Sequence, residues 1–103
     1  MKSLGFIEVS GVVAAIDALD IMTKCANVSF VTWERKLGGR LVTIIVEGDI
    51  AAVNTAVETA LSKCIKKPCA HLVLARPHEE TRRIVDISAS RLKKKEELIN
   101  KDQ

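Results

Sequence analysis

The chain of 103 residues has almost no aromatic surface: one Trp, two Phe and no Tyr, or 3% of the whole. Stacking of bases and sugars needs such rings, so their scarcity weighs against an RNA or single-strand binder. Cysteine is as sparse. Cys25, Cys64 and Cys69 are odd in number and show no Cys-x-x-Cys spacing, which argues against a disulfide framework or a zinc site and for a reduced, cytosolic setting. No apolar run approaches the ~20 residues that a membrane span requires, and Met1-Lys2-Ser3 leads straight into a strand-like run without a signal-peptide core. The net charge of +3 is too mild to call for nucleic acid, its lysines gathering at Lys63 to Lys67 and Lys93 to Lys95.

Catalytic groupings are lacking too. His71 falls mid-strand and His78 follows a proline, neither with a Cys or carboxylate at metal-ligand spacing, so ordinary structural roles are expected for both. Gly38-Gly39 lacks the Gly-x-x-x-x-Gly-Lys-Ser/Thr context of a phosphate-cradling loop and is followed by a strand instead of a helix. The sequence therefore offers no catalytic residue, no metal and no cofactor.

What the chain does have is β-branched and aliphatic pattern, with 48% hydrophobic residues. Leu4 to Val9 reads as a strand, Ser10 as a candidate N-cap, and Val12 to Cys25 as a helix with Val12, Ile16, Leu19 and Met22 on one face. "VSFVTWE" (Val28 to Glu34) and "LVTIIVE" (Leu41 to Glu47) form a predicted hairpin around "RKLGGR". Gly48-Asp49 supplies a turn and an N-cap, and Ile50, Val53, Val57, Ala60, Leu61 and Cys64 recur at helical spacing. Cys69 to Ala75 is a fourth strand, ended by Arg76-Pro77. This β-α-β-β-α-β order predicts an α/β chain of the α+β, ferredoxin-like kind: a four-stranded antiparallel sheet with both helices on one face. Past His78 the pattern thins into charge, with a frayed C-terminal helical tail expected. The predicted division is a domain over 1–87 and a charged tail over 88–103, whose loss after Val85 should barely change stability.

Several elements, in order, carry a family likeness: "LGFIE" then Gly11, "DxMxKxANV" from Asp20 to Val28, the "KLGG" loop, "EGDIAAV" and "RPH". Across Ser3 to about Val85 the chain resembles the single-domain shell proteins of bacterial microcompartments, the polyhedral bodies that enclose metabolic pathways. The resemblance implies subunits that close into a flat homohexamer with a central pore for polar or anionic metabolites, tiled into the shell facet. The pore would be lined by the loop Lys36, Leu37, Gly38, Gly39 and Arg40. Lys24, Asn27 and Arg76 would serve assembly at the hexamer edge. Other microcompartment shell proteins are the implied partners, with encapsulated enzymes able to meet the tail, and the implied location is a shell within the cytoplasm. Arg40 departs from the family's usual Lys-Ile-Gly-Ser-Gly loop, and either faces the pore or pairs with Glu34 or Glu47. The alternative on fold order alone is a small-molecule-sensing regulatory domain, and a nucleic-acid binder using the lysine-rich segments is a further one.

Overall fold

The computed structural model describes residues 2–35 and 39–101. Its elements run β1 (Ser3–Ser10), α1 (Val12–Cys25), β2 (Ser29–Arg35), β3 (Leu41–Gly48), α2 (Ile50–Lys63), β4 (Ala70–Leu74) and α3 (Glu79–Lys101). The strands lie in the order β2-β3-β1-β4, and every neighbouring pair is antiparallel. β1 is thus central, zipped to β3 from Ser3↔Gly48 to Ser10↔Leu41 and to β4 from Leu4↔Leu74 to Glu8↔Ala70. The expected fold class holds.

Period-two alternation divides the sheet into two faces. Ile7 and Val9 of β1, with Val42, Ile44 and Val46 of β3, join Ala14, Ala15, Ala18 and Met22 of α1 and Val53, Ala56, Val57 and Ala60 of α2 in the main core. On the opposite face Leu4 and Ile45 are sealed by Val85 of α3, with Phe6 and Val31 beside them. Val31 is the extra residue of a register shift in β2, where Phe30 pairs with Val46 and Thr32 with Ile45.

Two local details differ from the sequence reading. The expected N-cap Ser10 is instead the last residue of β1, opposite Leu41, and Gly11 caps α1 with φ 99°. Of the expected α1 stripe, Met22 is fully buried, but Ile16 is 54% exposed and the buried positions are mostly alanines. Small side chains let α1 approach α2 and the sheet closely; a larger residue in those places would overpack the core. Asp49 does stand at the N-cap of α2.

α3 is one continuous helix of 23 residues that passes through position 87 without a break. Thr81, Val85, Ser88 and Leu92 recur at spacings of four, three and four on the side turned to the sheet, Val85 and Ser88 being buried. From Lys93 to Asn100 every residue is exposed. No helix among the described residues is long and apolar enough to cross a membrane.

Candidate pore loop and edge sites

β2 and β3 meet the loop at the end of the sheet where Arg35 pairs with Val42. Lys36, Leu37 and Gly38 of the expected pore lining lie outside the described residues, while Gly39 and Arg40 are exposed just before β3. The Arg40 carbonyl accepts the N–H of Gly11 at 2.7 Å. Gly11 donates from a left-handed backbone conformation that a side chain would disfavour, so the β1–α1 turn fastens one arm of the loop.

The two carboxylates that could have drawn Arg40 away from the loop are otherwise engaged. Glu47 stands at the far end of β3, roughly 23 Å away along the strand at about 3.3 Å per residue, and holds Arg82 of α3 at 2.6 Å. That hydrogen bond, assisted by the charges of Glu47 and Asp86 against the opposing effect of burial, raises the Arg82 guanidinium above its ordinary pKa. Glu34 accepts a hydrogen bond from the Ser88 hydroxyl and lies 3.8 Å from Arg91. Because the Ser88 hydroxyl donates its hydrogen to Glu34, the buried Thr32 hydroxyl is the donor in its 2.9 Å bond to Ser88. Sequence reasoning missed this polar chain because its members are far apart along the polypeptide. The one available signal was the stripe of Thr81, Val85, Ser88 and Leu92.

Beside the loop, Glu8, Glu34, Arg35, Leu41 and Thr43 surround an open hollow of about 280 Å³. The Arg35 guanidinium lies 5.3 Å from the centre of the Trp33 ring, a cation–π contact that keeps this cation on the sheet. Among the described residues no group of three or more His, Cys, Asp or Glu could hold a metal ion. The three thiols are free, and Cys64 bonds the Ala14 carbonyl at 3.4 Å across α1 and α2.

The expected edge residues lie at the other end of the sheet. Lys24 lies in the last turn of α1 and pairs with Asp20 at 2.8 Å, with both side chains largely in solvent. The hydrogen bond to Asp20, then its charge, raises the Lys24 pKa. Asn27 is exposed one turn later, before Ser29 pairs with Glu47. Arg76 is exposed after Leu74, which pairs with Leu4 at the start of β1. Gly39 and Arg40 thus lie at the opposite end from the expected edge residues, across strands up to eight residues long, roughly 23 Å apart.

Residues 3–77 match the family model of the BMC domain, which covers most of this fold. The chain belongs to that family, the bacterial microcompartment shell proteins. It is 41% identical over 86 residues to the bacterial microcompartment shell protein PduA of Citrobacter freundii, covering 82% of this chain and 91% of the relative. It is 40% identical over 92 residues to the carboxysome shell protein CsoS1C of Hydrogenovibrio crunogenus, covering 85% and 88% of the two chains. The fold is also that of a microcompartments protein from Desulfitobacterium hafniense DCB, with a TM-score of 0.72 and 23% identity over 85% of this chain and 48% of that one.

Proposed function

We propose that the chain is a structural tile of a microcompartment shell, non-catalytic, in which six copies close into a flat disc around the loop 36–40. In this reading the central opening passes polar or anionic metabolites, and discs join one another through Lys24, Asn27 and Arg76. Other shell proteins would tile into the same facet, and the exposed end of α3 would be open to encapsulated enzymes. One observation carries the proposal: Gly39 and Arg40 lie at one end of the sheet and Lys24, Asn27 and Arg76 at the other, an arrangement that suits a ring with its opening at the centre and its contacts at the rim. Exposed apolar side chains on α1, Val13 at 73% and Ile16 at 54%, supply surface that a lone subunit would leave wet.

Light scattering behind size exclusion tests the disc, a monomer or dimer being the result against it. The edge is tested by Lys24→Ala and Arg76→Ala. Because both side chains are exposed and Lys24 holds only a solvent-screened partner, neither change should disturb folding or the disc. Each should abolish extended sheets in electron micrographs. Sheets as abundant as those of the unaltered protein would refute the edge assignment.

A further inference from the structure

The direction of α3 is fixed by three contacts. Arg82 meets Glu47 at the edge end of the sheet, Ser88 meets Thr32 midway, and Arg91 approaches Glu34 at the loop end. The helix therefore runs along β2 toward the loop. Beyond Arg91 it continues to Lys101, roughly 15 Å at about 1.5 Å per residue, with every residue from Lys93 to Asn100 exposed. That overhang begins with Lys93, Lys94 and Lys95, followed by Glu96 and Glu97. Between residues 93 and 97 three lysines face two carboxylates, a net +1 in each chain, with the three cations leading.

We infer that the overhanging part of α3 forms a second, basic selectivity element at the mouth of the opening, on the face of the sheet that α3 covers. The inference rests on the proposed disc, since only copies arranged around the loop bring these helix ends around one axis. Its ligand class is small metabolites carrying net negative charge, such as carboxylates and phosphates. Two features argue that the lysines act on passing solutes. The Glu34–Ser88–Thr32 chain anchors the helix on β2, so the overhang starts from a fixed point. Glu34, the carboxylate of β2 nearest the loop, is occupied by Ser88 and approached by Arg91, which leaves the lysines that follow without it as a counter-ion. A ring of such cations concentrates anions at an entrance and repels cations, with a reach set by the ionic strength.

The test uses the full chain reconstituted across an aperture, with the ratio of chloride to potassium permeability read from the reversal potential. Lys93→Gln, Lys94→Gln and Lys95→Gln together should lower the anion preference about threefold in dilute salt, where the Debye length is about 30 Å, and by clearly less at physiological salt. Glu96→Gln with Glu97→Gln should raise it. All five side chains are exposed, so disc size and thermal midpoint should stay unchanged. An unchanged ratio in the triple variant overturns the inference. Arg40→Gly, measured alongside, separates the two readings: if it alone lowers the ratio, the pore stands and the α3 element falls. Absence of discs or of conductance in the unaltered protein overturns both.

Discussion

Ending the chain at His78, so that α3 is lost, should lower the midpoint of thermal unfolding by more than about 15 °C. The deletion removes Val85 and strips the cover from Leu4 and Ile45, all three at most 5% exposed. Burying one such side chain contributes about 1.5–3 kcal/mol, so uncovering the cluster should cost at least ~4 kcal/mol. Each kcal/mol shifts the midpoint by about 4–8 °C in a domain of this size. Against a total stability of about 5–15 kcal/mol, the truncated chain should be marginal. Ending the chain after Leu92 removes Lys93 to Asn100, all exposed, with the last three residues, and should move the midpoint by no more than about 2 °C. Scanning calorimetry of both truncations at matched concentration decides the matter. Equal midpoints for the full chain and the His78 truncation would mean that α3 contributes nothing to the fold.

Gly48→Ala should be nearly as damaging, and its harm should reach Asn27 of the proposed edge. A Cβ on Gly48 would lie 2.9 Å from the Asn27 carbonyl oxygen and 3.3 Å from a Val28 methyl. The oxygen belongs to the backbone, so relief requires the chain at Asn27 to move. Overpacking of this kind costs about 1–3 kcal/mol, a fall of roughly 5–20 °C. Gly5→Ala is the informative comparison, because its clashes at 2.8 and 3.1 Å are with side-chain methyls of Val53 and Val57 in the main core. The two variants should lose comparable stability. Only Gly48→Ala should also impair sheet formation at temperatures where the protein stays folded, since only it displaces Asn27. Electron microscopy of both, well below their midpoints, checks this; normal sheets from Gly48→Ala would disconnect Asn27 from assembly.

The strands were legible because β-branched runs such as Val42 to Val46 leave little choice of conformation, and the helices because apolar residues recur in Val12 to Cys25 and Ile50 to Cys64. The buried side of α1 was not legible. Hydropathy ranks Ile16 above Ala14, Ala15 and Ala18, yet closeness of approach selects the alanines for the interior. The helix bounds Val12 to Cys25 were legible but its cap was not: the side-chain oxygen of Ser10 suggests a cap, whereas the backbone freedom of Gly11 is what the turn uses. The loop motif announced itself through its glycines and flanking cations. Its connection to α3 did not, because Thr32, Glu34 and Ser88 meet across more than fifty intervening residues, and no local pattern encodes that meeting.

The bond from the Gly11 amide to the Arg40 carbonyl also bears on redesign. It pins the arm of the loop that enters β3, while Arg35 closes the pairing on the β2 side. Foreign peptides, cysteine handles or bulkier gates should therefore be grafted between Arg35 and Gly39, upstream of the pin. An insertion between Arg40 and Leu41 would pull that carbonyl off the turn and carry the disturbance into the first strand and helix. The same short contact that steadies the loop tells an engineer which side of it can be rewritten.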